Sequence, residues 1–294
     1  MKTVVVGAGS WGTTFAALLE ERGHEVVVAG RRLPFVTVAE APVADADLVC
    51  IAVPSRAFRE VVESLPGPAP RLILTKGLDP ASGGRLSQVV QGAPVAVLSG
   101  PNHAEEIAQC LPAAAVLASE DELLATRIQH EIISPRFRVY VNTDLVGVEL
   151  CAAAKNVMAL AAGAVDGLGL GDNAKAALIS RGLAEMIRLG EACGARQETF
   201  AGLAGMGDLI VTCWSRHSRN RLAGELIATG ASPEAAVAQI GMVVEGLTTA
   251  PVLRDVSHRL GIELPITEGV CAVLEGVLLT DLVEQLMRRD PTTE

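Results

Sequence analysis

The sequence predicts an α/β chain in which a doubly wound, mostly parallel sheet is followed by an all-α C-terminal region. Three observations predict it. Short β-rich runs alternate with helically spaced segments through the first half. A glycine-rich turn joins the first such run to the first helix. Strand signal almost vanishes after about Asn142, where Ala- and Leu-rich helical spacing takes over. The expected domains are therefore 1–142 for the sheet and 143–294 for the helices.

Thr3 to Val6 is a near-continuous apolar run, as in a strand buried on both faces. Ser10 to Arg22 has helical spacing. Glu25 to Ala29 and Leu48 to Val53 read as the second and third strands. Arg71 to Leu74, Val95 to Leu98, Ala113 to Leu117 and Phe137 to Val141 continue the series. Beyond Asn142 the expected helices are Val146 to Ala162, Ala174 to Gly190, Arg219 to Thr229, Pro233 to Gly241, Thr248 to Leu260 and Thr267 to Glu275.

Half of the 294 residues are hydrophobic but only 3% are aromatic, which suits helices packed on a sheet. The formal charge of −10 argues against nucleic acid as a partner. Two or three local cations still suffice for one phosphate. Cys50, Cys110, Cys151, Cys193, Cys213 and Cys271 are scattered without a CxxC pair, mostly in aliphatic runs. That pattern fits reduced thiols in the cytoplasm, and no His/Cys cluster suggests a metal. The N-terminus enters a strand at once and has no leader-like pattern. No integral membrane segment is expected, since the richest apolar stretch, 150–165, contains Lys155 and Asn156.

Gly7-Ala8-Gly9-Ser10-Trp11-Gly12 is GxGxxG between a strand and a helix. Gly7 permits the tight turn, Gly9 lets backbone approach a pyrophosphate, and Gly12 lets helix and strand close up. The helix start then offers bare N–H groups to the anion. A Rossmann-type dinucleotide domain follows. The second strand ends in Arg31 and Arg32, without the carboxylate that grips a free ribose and repels a 2′-phosphate. NADP(H) is therefore favoured, with NAD(H) as the alternative and a pair of solvated loop arginines as the plain reading. The missing carboxylate also argues against an S-adenosylmethionine enzyme.

Lysine occurs only at positions 2, 76, 155 and 175. Lys155 lies in a small, apolar helical run, sharing a face with Ala152, Ala159 and Ala162. Burial lowers a lysine's pKa, and a lysine so tuned delivers a proton to a carbonyl oxygen. A snorkelling lysine at a helix edge is the plain alternative. Lys76 and the stretch Ser99-Gly100-Pro101-Asn102-His103-Ala104 follow expected strands, where ligand crevices open. His103 is a candidate acid or base, against a structural loop histidine. Gly202 to Asp208 reads as a flexible turn delivering one carboxylate to Lys155, to a substrate hydroxyl or to a helix N-cap. Ser218, Arg219 and Asn220 open a helix, and their hydroxyl, guanidinium and amide suit a phosphate monoester. A capped helix with a basic surface turn is the alternative.

Taken together, GAGSWGTTFA, VPS, TKGL, LSGPNHAEE, ELCAAAKNVMALAAG, AGLAGMGDLIVTC, SRNR, VVEGLTTA, ELPITEGV and LMRRDP, in order over nearly the whole chain, resemble the bacterial-type NAD(P)-dependent glycerol-3-phosphate dehydrogenases. The resemblance implies reversible hydride transfer between NAD(P)H and dihydroxyacetone phosphate, giving sn-glycerol 3-phosphate for glycerophospholipid synthesis. It implies Lys155 as the catalytic lysine. Lys76, Gly100, Asn102, Asp208, Ser218, Arg219 and Asn220 are the implied substrate contacts. Gly7, Gly9, Ser10, Trp11, Gly12, Arg31, Arg32, Lys76, Ala104, Arg219, Val243 and Glu245 are the implied dinucleotide contacts. Apart from the resemblance, the apolar helices near the C-terminus read either as a homodimer surface or as plain core. Two departures stand out: Asn102 replaces the usual Ser or Thr, and the 32–47 stretch is shorter than the family's and lacks its Leu-Pro-Gly loop.

Overall fold

A computed structural model describes residues 1–279. The LMRRDP segment lies outside the described residues. The seven strands of the described residues are β1 (Lys2–Val6), β2 (Glu25–Ala29), β3 (Leu48–Ile51), β4 (Arg71–Ile73), β5 (Val95–Ser99), β6 (Ala113–Ala118) and β7 (Phe137–Asn142). They form one sheet in the order β2-β1-β3-β4-β5-β6-β7. All neighbours pair in parallel except β5 and β6, so one antiparallel joint interrupts the expected parallel run. The chain leaves β1 toward β2 and returns on its other side as β3. That reversal opens a crevice at the C-terminal ends of β1 and β3.

Helices α1 (Ser10–Glu21), α2 (Ser55–Ser64), α3 (Ala104–Ala108) and α4 (Glu122–Ile132) accompany the sheet. After Asn142 come α5 (Leu145–Gly167), α6 (Gly171–Ala192), α7 (Gln197–Ala201), α8 (Asp208–Trp214), α9 (Arg219–Ala228), α10 (Pro233–Ile240), α11 (Glu245–Leu260) and α12 (Pro265–Leu274). The expected helices are present but several run longer. α5 begins at the residue after Asp144, whose carboxylate accepts from Gly147 N and from the Thr199 hydroxyl. Leu203–Gly207, expected as a flexible turn, is a π-helical turn that runs directly into α8. Its Ala204 and Gly205 are buried, which holds the turn in place.

Alternation along the strands divides the core. Val5, Cys50, Leu72 and Leu98 pack with Phe15 and Leu19 of α1 and Ile128 of α4 on one face. Val4, Val6, Ile51, Ile73 and Val97 point to the other face. There they join Ala154, Val157 and Met158 of α5 and Leu253 of α11 in a single cluster. The secondary structure changes after β7, but the apolar core continues across that point. Glu149 of α5 ties the same contact, accepting from Arg85 Nη1 at 2.9 Å and Ser87 N at 2.8 Å. By length and composition α5 could cross a membrane, yet 89% of its most apolar window is buried inside the protein.

Candidate active site

The glycine turn sits at the reversal point of the sheet. Gly7 has φ +121°, its N–H donates to Ala29 O at 2.9 Å, and a Cβ there would lie 2.5 Å from Ala52 O. A Cβ on Gly12 would lie 1.8 Å from Gly7 O. Any side chain at either position would push α1 away from the strand ends. Gly9, in contrast, faces open space and forms the N-cap of α1 without a side-chain cap, and the first turn of α1 carries no acid. The bare N–H groups therefore face the crevice. Trp11 Nε1 is buried without a partner beside them. Ser10, Arg31 and Arg32 are exposed around this turn, and Val243 is half-buried. Ala104 opens α3, where its carbonyl accepts from Thr14 of α1.

Across the crevice, α5 carries Lys155, which is only 4% exposed. Its Nζ donates to Asp208 Oδ1 at 2.5 Å and to Thr212 Oγ1 at 2.9 Å. Asp208, 1% exposed, opens α8. Its other oxygen accepts from Lys76 Nζ at 3.0 Å and Ser99 Oγ at 3.4 Å. Lys76 also donates to Asn102 Oδ1 at 2.7 Å and Gly100 O at 3.1 Å. One carboxylate thus holds two ammonium groups at the C-terminal ends of β4 and β5. Asp208 is the partner of Lys155 and not a helix N-cap, since its carboxylate accepts from side chains.

The electrostatics follow from that count. Burial, helped by the Lys76 charge, pulls the Lys155 ammonium down to about 7, against the opposing pull of Asp208. Burial alone would raise the Asp208 carboxyl, but Lys155 and Lys76 outweigh it and hold the group below the usual carboxylate range. Near neutrality Asp208 is a carboxylate and Lys155 is divided between ammonium and amine. His103 lies beside the cluster, and burial, Lys155 and Lys76 together keep its ring neutral.

The third side of the site is the start of α9. Ser218 is its N-cap, accepting from Arg221 N at 3.2 Å. Arg219 is exposed in the first turn. Two glycines set how close this helix comes. A Cβ on Gly163 of α5 would lie 1.8 Å from Arg221 O, and one on Gly224 of α9 would lie 1.9 Å from Leu160 O. α9 therefore rests directly on the backbone of α5. Asn220 is turned inward: its Nδ2 donates to Asn156 Oδ1 at 2.9 Å and its Oδ1 accepts from Gly246 N at 2.9 Å. Asn156 in turn donates to Lys76 O at 3.2 Å. Glu245, at the start of α11, accepts from Ser55 N at 3.0 Å, and burial raises its carboxyl.

The structure thus brings Lys76, Gly100, Asn102, Lys155 and Asp208 into direct contact, with Ser218, Arg219 and Asn220 at the neighbouring helix start. Thr212, Asn156, Ser99 and Ser55 are parts of the site that sequence reasoning did not assign. Thr212 follows Asp208 by one helical turn, a spacing that puts two side chains on one face. The other three meet their partners only through the fold.

Comparison with known proteins agrees with this geometry. Residues 144–283 match the family described as NAD-dependent glycerol-3-phosphate dehydrogenase C-terminus, and residues 2–39 and 31–125 match the corresponding N-terminus. A glycerol-3-phosphate dehydrogenase [NAD(P)+] of Prosthecochloris aestuarii is 43% identical, with 100% of each chain covered. One of Bacillus cereus is 42% identical over 98% of this chain and 96% of the relative. The crystal structure of a glycerol-3-phosphate dehydrogenase from Coxiella burnetii superposes with a TM-score of 0.91 at 35% identity, covering 98% of this chain and 99% of that one. The chain belongs to the NAD-dependent glycerol-3-phosphate dehydrogenase family.

Proposed function

We propose that this chain is an NAD(P)-dependent oxidoreductase that interconverts dihydroxyacetone phosphate and sn-glycerol 3-phosphate. The observation that carries the reading is the buried Lys155 ammonium, brought to about 7 and aligned by Asp208 and Thr212 at the strand ends. The residues around the glycine turn fit a dinucleotide. The α1 start is bare and uncapped, the space above Gly9 is open, and Trp11 Nε1 is unpartnered. Gly7, Gly9, Ser10, Trp11, Gly12 and Ala104 would hold it on that side, and Lys76, Arg219, Val243 and Glu245 from the facing side.

When bound, the dinucleotide supplies the hydride to C2 of the ketone, or takes it back from the alcohol. Lys155 gives its proton to the carbonyl oxygen as the C2–H bond forms and is left as a neutral amine, recharged from solvent. Asp208 and Thr212 take two of its N–H bonds and leave the third for that oxygen. Asp208 remains ionised throughout and fixes the direction of the amine. Lys76 stabilises the developing alkoxide. Ser218, Arg219, Asn220 and the α9 start hold the phosphate, with Gly100 and Asn102 bounding the opposite side of the substrate.

NADP(H) is the preferred dinucleotide in this reading, because exposed Arg31 and Arg32 follow β2 where an acid would select NAD(H). Residues 1–142 form the dinucleotide domain and 143–294 the substrate and catalytic domain. The enzyme works in the cytoplasm, supplying phospholipid synthesis; its six free cysteines suit a reducing compartment. It assembles as a homodimer, for which exposed Met206, Ile210 and Trp214 offer apolar surface. The test is NADPH and NADH oxidation followed by absorbance with dihydroxyacetone phosphate present and absent. Substrate-dependent oxidation, faster with NADPH, is expected; none with either cofactor would rule the activity out.

A further inference from the structure

His103 presents a buried polar atom that nothing in the protein engages. Its Nε2 is shielded from solvent and has no hydrogen-bond partner. The residue occupies the N-cap position of α3, but its side chain does not cap that helix. Such an orphaned atom is costly unless a ligand completes it. The ring faces His217, with centroids 6.3 Å apart and planes inclined by 55°. At that separation the rings do not bond to each other. His217 is the residue immediately before Ser218, the N-cap of α9. The two imidazoles therefore sit beside the start of that helix, with His103 within electrostatic reach of Lys155, Lys76 and Asp208.

We propose that His103, with His217 opposite, forms a wall of the phosphate subsite, its Nε2–H donating to a non-bridging oxygen of the substrate's phosphate monoester. This deepens the functional reading above and rests on it. The carbonyl oxygen belongs to Lys155, and the dinucleotide's pyrophosphate to the α1 start. The phosphate at the α9 start is the anion nearest to His217. Burial and the two neighbouring ammonium groups keep the His103 ring neutral, against Asp208 and Glu105. It therefore contributes a directed donor without adding another charge beside Lys76 and Lys155.

The test compares wild type with His103→Leu and His103→Gln, using dihydroxyacetone phosphate, unphosphorylated dihydroxyacetone, and inorganic phosphate as competitor. In His103→Leu the KM for dihydroxyacetone phosphate is expected to rise roughly 10- to 100-fold, the range for one hydrogen bond to a charged group. Inhibition by phosphate should weaken in parallel. The kcat, the kcat/KM for dihydroxyacetone and the Kd for NADPH should stay within about twofold. His103→Gln, which keeps an N–H near the Nε2 position, should recover most of the loss. Unchanged KM and phosphate inhibition would overturn the assignment, as would equal losses on both ketones. If His103→Leu fails to bind NADPH, His217→Leu provides the same comparison, with a rise in KM confined to the phosphorylated ketone expected and no rise overturning the proposal. Should wild type not turn over dihydroxyacetone phosphate, the functional reading falls. Calorimetry of inorganic phosphate with wild type and His103→Leu would then still decide the role of His103.

Discussion

Lys155 and Asp208 lie 53 residues apart in sequence and meet at 2.5 Å in a pocket that excludes solvent from both. Both groups are shifted downward, each by a different balance of burial and charge. Burial penalises both charges, and a second ammonium, Lys76, tips the balance toward an ionised Asp208 and an easily discharged Lys155.

The wild-type pH profile should therefore have opposite signs in the two directions. Ketone reduction needs the ammonium form and falls as pH rises through about 7. Alcohol oxidation needs the free amine and rises over the same interval. Lys155→Ala should lose about 10²- to 10⁴-fold in kcat while retaining NADPH affinity. Steady-state rates in both directions and fluorescence titration of NADPH check this. A variant turning over at near-normal rate would refute the proton-transfer role.

Asp208→Asn removes the group that opposes discharge of Lys155, so the lysine pKa moves further down. At pH 7 the amine then predominates, and reduction should slow by about tenfold for each unit of displacement. Its optimum should shift to lower pH. Breaking a buried pair on one side also costs about 3–5 kcal/mol of stability. Urea unfolding beside the pH–rate curve separates the two effects; an unmoved profile would mean that Asp208 does not control Lys155.

Gly163→Ala adds a methyl where Arg221 O leaves no room. The expected cost is about 1–3 kcal/mol. Because α9 must lift away from α5, the KM for dihydroxyacetone phosphate should rise as well. Denaturant midpoints and substrate titration provide the measurement, and a fully stable variant with unaltered KM would contradict the close contact.

Arg31→Asp combined with Arg32→Ala replaces two cations after β2 by one acid. The ratio of kcat/KM for NADPH over NADH should fall about 10- to 100-fold, as loss of a charge-assisted hydrogen bond implies. A ratio that does not move would show that these arginines do not read the 2′-phosphate.

The fold was legible because its signals are local. The Thr3 to Val6 run, GxGxxG and the Ala-rich helices each carry their period within a few residues. Lys155 was legible for a related reason: a rare residue type stands in an apolar helix. Asp208 was less so, since N-cap and lysine partner fit the same sequence equally well until the chain folds back. For Asn220 the sequence offers only its place in the first helical turn; that its amide also spans Asn156 and Gly246 N appears only in the fold. Ser55 and Glu245, 190 residues apart, share no periodic signature at all. The antiparallel joint of β5 and β6 was equally silent, because side-chain alternation is the same for either strand direction.

The apolar cluster running from Val4, Val6 and Ile51 to Ala154, Val157 and Leu253 has a consequence for synthesis of the chain. The part of one sheet face that Phe58 and Val62 of α2 leave open is completed by residues made later. A nascent polypeptide halted after β7 would display that face to its surroundings and attract other sticky surfaces. Only emergence of the long lysine-bearing helix quenches it, so the segment that houses the chemistry also ends the most aggregation-prone interval in the protein's birth.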